Sequence, residues 1–431
     1  MHMLYPSLLR CTLLGTSLSL LTACADNHAA SQVDTPTPVV QSATISLPTA
    51  VSPVSTATFE QPTQSFASWQ AAFRQEALSA GIQAAVFDAA FAGVSPDMAV
   101  IRADRSQPEF TRPVWEYLDS AISATRVRRG QALLAEHAST LQAIEQRYGV
   151  DRHALVAIWG MESNFGQYMG DKSVIAALAT LAYEGRRPAF AHEQLLAALR
   201  ILQHGDVQPS RMRGSWAGAM GQTQFIPSTY NQFAVDFDGD GRRDIWDSSA
   251  DALASAAHYL QKSGWQSGQP WGVEVTLPSG FDYALADAEI RKPISEWRQL
   301  GVNNIPAADD QARAVLLLPA GHRGPAFLVL DNFRAILKYN NSTAYGLAIG
   351  LLSGALDSQP GVQAAWPRSD RQLGRSERIE LQELLASKGY APGAADGIIG
   401  ANTRKAVRAF QQSLGQPADG YPSHELLQQL R

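Results

Sequence analysis

Cysteine is nearly absent from this chain of 431 residues: Cys11 and Cys24 are the two it has, both near the amino terminus, so the body of the chain holds neither thiol nor disulfide. Charge is scarce as well, at 17% Asp, Glu, Lys and Arg, where soluble domains usually carry roughly 25%. The 35 Lys and Arg against 40 Asp and Glu leave a formal charge of -5 with no dense basic block, which excludes a nucleic-acid footprint. What the chain does have is apolar bulk. With 45% hydrophobic residues it buries a large core, is no disordered polymer, and has the length for two or three domains. Nine Trp, twelve Tyr and fifteen Phe suit a neutral ligand gripped by stacking and hydrogen bonds, and carbohydrate is one such ligand.

A membrane-spanning run is missing at the amino terminus. After Arg10 an apolar run extends from Cys11 to Leu21, whereas a bilayer needs roughly 20 such residues; residues 1–23 read as a secretory signal. The run ends in Leu21-Thr22-Ala23-Cys24, which resembles a bacterial lipobox. The resemblance implies cleavage ahead of Cys24, lipidation of its thiol, and anchoring in a membrane by two or more acyl chains. Ala25 in place of Asp is the pattern that sorts such lipoproteins to the outer membrane, so the expected location is its periplasmic face. From Asn27 to Thr58 the chain is mostly Ala, Ser, Thr, Val, Gln and Pro, with Asp34 as its only Asp, Glu, Lys or Arg. Such a stretch cannot bury enough surface to fold, and residues 24–64 read as a lipidated, disordered tether.

At the other end, Pro360-Gly361 and the stretch from Pro367 to Gly374 form a polar joint ahead of a separate module, 372–431. Three short helices are expected there, marked by Ile379, Leu384 and Leu385, by Val407, Phe410 and Leu414, and by Leu426, Leu427 and Leu430. Ala395-Asp396-Gly397 recurs as Ala418-Asp419-Gly420, a minor internal repeat. The order Leu381-Gln382, Gly389-Tyr390, Asp396-Gly397-Ile398-Ile399-Gly400, Thr403 and Phe410-Gln411 resembles the peptidoglycan-binding domain appended to many cell-wall enzymes.

Residues 65–360 carry mainly helical periodicity, as in Phe66, Trp69, Phe73 and then Ile82, Val86, Phe87, with a few β-branched interruptions. In the run Leu155 to Gly166 an apolar helix delivers one acid, Glu162, among Trp159, Met161 and Phe165. Burial disfavours its anion and keeps the proton on to higher pH, the condition for protonating a glycosidic oxygen. Some fifty residues later, Gly214 to Tyr230 combines glycines that let a ligand approach backbone with Ser215, Gln222, Gln224 and Ser228 as neutral donors and acceptors.

The two segments together closely resemble the membrane-bound lytic murein transglycosylase B family, over roughly 65–360. The match includes Glu184-Gly185-Arg186-Arg187, Trp246-Asp247 and Ile336-Leu337-x-Tyr339-Asn340-Asn341-Ser342-x-x-Tyr345. The resemblance implies a mainly α, lysozyme-like α+β catalytic domain with Glu162 as catalytic acid and base. It implies cleavage of the β-1,4 bond between N-acetylmuramic acid and N-acetylglucosamine of peptidoglycan, with 1,6-anhydro ring formation and no catalytic cofactor. By the same match Ser215 and Gln224 line the site, Tyr117, Tyr259, Tyr339 and Tyr345 line the groove, and Arg186 and Arg187 meet lactyl or peptide carboxylates. Ordinary glycosidases use two carboxylates; here Asp171, Glu184 and Asp206 stay open as a second one. A water-using muramidase and a catalytically silent wall-binding lipoprotein are the competing readings.

Finally, Asp236, Asp238, Asp240, Asp244 and Asp247 stand at positions one, three, five, nine and twelve of an EF-hand-like loop, with Gly241 at six and Arg242 at seven. A structural Ca²⁺ is expected, with Asp247 in place of the usual bidentate Glu.

Overall fold

A computed structural model describes residues 64–105, 112–305 and 308–431; the signal, Cys24 and nearly all of the tether lie outside them. No helix among the described residues is long and apolar enough to cross a membrane.

The architecture is mainly helical. Phe66–Ser79 and Ala84–Phe91 are helices; of the marked stripe Phe73, Phe87 and, between the helices, Ile82 are buried, and Phe66, Trp69 and Val86 are partly buried against them. Helix Arg152–Ser163 runs through the core: Ala154 to Gly160 are all buried, as expected for a helix apolar on every side. Asp151 caps its start by accepting the N–H groups of His153 and Ala154 at 2.8 and 3.0 Å. Its end is abrupt. Asn164 and Phe165 both take left-handed backbone, with φ of 49° and 61°, and the Phe165 ring folds back over Gly160, where a Cβ would stand 2.7 Å from Phe165 Cζ. A non-glycine residue at positive φ stores strain, a feature that clusters at functional sites. Glu162 is thereby held in the last turn of a rigid helix.

Helix Thr343–Leu356 packs across it through Ile349, Leu352 and Leu356. The β-branched interruptions form a four-stranded antiparallel sheet in the order Gly272–Val275, Ala326–Val329, Arg313–Leu317, Lys292–Pro293, with Val273 opposite Leu328 and Leu316 opposite the same residue on the other side. A second, minimal pairing sets Lys172 against Gly214.

The carboxy-terminal residues form helices Arg375–Ser387, Ala401–Ser413 and His424–Leu430 around Leu381, Leu385, Val407, Phe410, Leu426, Leu427 and Leu430. Leu414, expected to mark the second helix, is its C-cap, one residue past the end, and is exposed. The polar joint is pinned: Glu274 accepts the N–H groups of Gln363 and Ala364, and Arg368 forms a two-pronged pair with Asp119. The module docks on the larger part through Arg408 with Asp287, Lys405 with Glu289, and His322 with Asp419.

Candidate active site

The site is assembled from three separate stretches of chain. Ser163, next to the acid, donates its hydroxyl to the Gln222 carbonyl at 2.7 Å and accepts the Gly166 N–H at 2.9 Å. This bond sews the end of the acid's helix to the glycine segment. Within that segment Ser215 Oγ accepts the Ala217 and Ala219 N–H groups at 3.3 and 3.0 Å, which folds the turn. Gly221, at φ 65°, lies so close to the Ile245 carbonyl that a Cβ would stand 2.6 Å from it. Gln224, also in left-handed backbone, donates its Nε2 to the carbonyls of Met169 and Gly221 at 3.1 and 2.9 Å. Its Oε1 keeps no partner among the described residues and is left as an acceptor.

Glu162 itself is partly accessible at the surface, yet it is surrounded closely enough for burial to push its carboxyl up from 4.5 to about 7. A smaller, opposing effect comes from Tyr345, whose hydroxyl donates to Glu162 Oε1 at 2.5 Å. Tyr339 and Tyr117 also face the acid electrostatically, and burial, with the Glu162 charge next, raises all three phenols, Tyr117 to about 12. Tyr339 donates to the Thr223 carbonyl at 2.8 Å and meets Tyr259 edge-on at 5.2 Å; Tyr259 in turn donates to the Lys338 carbonyl at 2.6 Å. Tyr339 and Tyr259 are therefore neutral donors fixed in direction by backbone carbonyls, and Tyr345 by the acid.

The basic pair sits at the turn between helices Val174–Glu184 and Pro188–His204. Arg186 is held by the buried Asp104 through its backbone N–H and Nε at 2.8 and 3.3 Å, and Arg187 lies over the Phe190 ring at 5.1 Å. Neither touches Glu162. Trp216 packs against the cluster of Val100, Ala177, Leu181, Ala182 and Ala191, most of it from these helices, which brings the glycine segment up to them. Of the open second carboxylates, Glu184 pairs with Arg105 at 3.5 Å, Asp206 is buried in a pair with Arg243 at 2.5 Å, and Asp171 is exposed. Two groups escaped the sequence reading. Thr223 Oγ1 and Asn340 Oδ1 are buried without a partner among the described residues next to Gln224 and Tyr339, polar atoms left for a ligand or water; adjacency to Gln224 and Tyr339 was the signal.

In the aspartate loop the structure departs from the twelve-residue spacing. Asp236 and Asp238 gather with Asp251, carboxylate oxygens within 4.8 Å of one another. Asp251, from the following helix Ser249–Lys262, is fully buried and accepts N–H groups from Phe237, Asp238 and Asp244. Asp240 instead pairs with Arg242 at 2.8 Å and Asp247 with Arg211, because each has a cation in reach. Asp244 accepts the N–H groups of Trp246 and Asp247. Three hard carboxylates in one place fit a Ca²⁺-type ion, whereas the Asp247 side chain faces Arg211.

Comparison with known proteins decides the family. The profile of the transglycosylase SLT domain matches residues 65–354. The chain belongs to this transglycosylase family. A peptidoglycan binding domain profile matches residues 374–430. Membrane-bound lytic murein transglycosylase B of Escherichia coli is 33% identical over 247 residues, 56% of this chain and 66% of that protein, slightly under two thirds of its length. The crystal structure of SltB3 from Pseudomonas aeruginosa in complex with NAG-anhNAM-pentapeptide is 65% identical, covers 85% of this chain and all of that one, and superposes with a TM-score of 0.84. Escherichia coli lytic transglycosylase Slt35 in complex with calcium is 30% identical over 67% of this chain and 92% of that one, with a TM-score of 0.58.

Proposed function

We propose that this member of the transglycosylase family is a lytic transglycosylase of peptidoglycan, with Glu162 as its one catalytic carboxyl. The observation that carries the mechanism is Glu162 itself: raised to about 7 by burial, held at Oε1 by the Tyr345 hydroxyl, and with no carboxylate among the groups that shift it. With Oε1 taken by Tyr345, the proton resides on Oε2 and passes to the glycosidic oxygen as its bond to muramyl C1 breaks. The carboxylate then accepts the proton of the muramyl C6 hydroxyl as that oxygen bonds to C1, closing the 1,6-anhydro ring. One proton leaves and one returns, no water is consumed, and no base is needed to activate water.

Tyr117, Tyr259 and Tyr339 form the wall of the groove, Gln224 offers Oε1 to a substrate N–H or O–H, and Ser215 supports the turn beside it. Arg186 and Arg187 stand at the margin, where peptide or lactyl carboxylates arrive. Asp236, Asp238 and Asp251 would hold a structural Ca²⁺, which ties the loop to helix Ser249–Lys262 and supplies no charge to the reaction. Residues 65–360 are the catalytic domain in this reading and 372–431 hold the wall, which raises the local concentration of substrate. Lipidation of Cys24 and attachment to the periplasmic face of the outer membrane complete it, on the strength of the lipobox-like segment. The test is Glu162→Gln: sacculus cleavage is expected to vanish while sacculus binding persists, and a fully active variant overturns the mechanism.

A further inference from the structure

The carboxy-terminal module is one unit used twice. In the first unit Gln382 Oε1 accepts the Gly397 N–H at 2.8 Å, while its Nε2 reaches Asp396 Oδ1 at 3.4 Å, the oxygen that also accepts the Ile398 N–H at 2.8 Å. In the second, Gln411 Oε1 accepts the Gly420 N–H at 2.9 Å, and Asp419 Oδ1 accepts Gln411 Nε2 and the Tyr421 N–H at 2.7 and 2.8 Å. Gly397 and Gly420 share a left-handed φ, 77° and 71°. In both units a helix-borne glutamine clamps an Asp-Gly turn, and Oδ1 of the aspartate is spent inside the module.

The twins differ at Oδ2. Asp419 Oδ2 accepts the backbone N–H of His322 at 2.8 Å and lies 2.6 Å from His322 Nδ1. The incoming chain comes so near that a Cβ on Gly321 would stand 2.7 Å from that oxygen. Asp396 Oδ2 has no partner among the described residues, and Ile398, the counterpart of the partly buried Tyr421, is 69% exposed. Beside them the exposed Arg375 donates Nη2 to the Asp396 carbonyl at 3.2 Å, a cation in reach of an incoming carboxylate.

We propose that the Asp396–Gly400 turn is the module's ligand site and that it takes the peptide stem of peptidoglycan as its twin takes Gly321-His322. A backbone N–H and a neighbouring side-chain N–H share Asp396 Oδ2, an apolar side chain covers Ile398, and a stem carboxylate meets Arg375. The ligand is peptide rather than glycan because the twin's occupant is peptide backbone carrying a side-chain nitrogen donor. The inference rests on the reading of this module as wall-binding.

The test is fluorescence anisotropy of a labelled stem pentapeptide with the full chain and with Asp396→Asn and Ile398→Ser. The asparagine keeps the inner acceptor and turns the outer atom into an amide donor; the serine strips an exposed side chain, so its melting temperature is expected to stay at the wild-type value. Each variant is expected to bind the peptide about tenfold more weakly, and oligomers of N-acetylglucosamine are expected not to compete. No peptide binding, unchanged affinity in Ile398→Ser, or displacement by the glycan oligomer overturns the proposal. Failure of the wall-binding reading shows separately, as loss of sacculus pelleting by the full chain.

Discussion

Tyr345 Oη stands 2.5 Å from Glu162 Oε1 across two packed helices, 183 residues apart in sequence. The bond steadies the anion against the burial that disfavours it, so one phenol sets both the direction of the acid and its readiness to give up a proton.

Tyr345→Phe removes this donor and leaves burial unopposed. The Glu162 carboxyl then moves above its present value of about 7, and the alkaline limb of the pH–rate profile is expected to shift upward. A drop in kcat of about tenfold accompanies it, since the carboxylate returns less readily in the second half of the reaction. An unchanged alkaline limb contradicts this role for Tyr345.

The same burial has a consequence for stability. A carboxyl raised from 4.5 to about 7 in the folded chain binds its proton more tightly folded than unfolded, so stability is full at pH 4 and declines as pH rises through 7. Glu162→Gln has no such charge to bury. Its gain over the wild type is expected to be near zero at pH 4 and about 2–3 kcal/mol at pH 8, measured by denaturant unfolding at the two pH values. A gain independent of pH contradicts the raised value.

For the aspartate loop the expected pattern is selective. Added Ca²⁺ raises the melting temperature of the wild type and a chelator removes the gain. Asp236→Asn and Asp251→Asn abolish the calcium-dependent part, whereas Asp247→Asn, whose side chain meets Arg211, retains it. Loss of the calcium response in Asp247→Asn and its survival in Asp251→Asn would reverse the assignment.

Local pattern made much of this legible. Of the stripe Phe66, Trp69, Phe73, Ile82, Val86 and Phe87, Phe73, Ile82 and Phe87 are buried and the others partly so, and the acid in its apolar helix lies beside the glycine segment through the Ser163–Gln222 bond. What stayed hidden was non-local or a matter of side-chain choice. Asp251 lies four residues beyond the loop, and only the fold turns it inward. Asp240 and Asp247, placed as ligands by spacing, meet Arg242 and Arg211, a pairing that spacing does not show. Arg186 is positioned by Asp104, 82 residues away. Docking of the module by Arg408 on Asp287 joins charges 121 residues apart, beyond any periodicity.

The central claim is ring closure by the sugar's own hydroxyl under a single acid, and the masses of the fragments released from purified sacculi by the full chain test it most directly. Fragments ending in 1,6-anhydromuramic acid, one water lighter than their reducing counterparts, are the expected product from the first turnovers onward. Predominantly reducing ends would contradict the account, because water would then be the nucleophile and the site would need a second group to activate it.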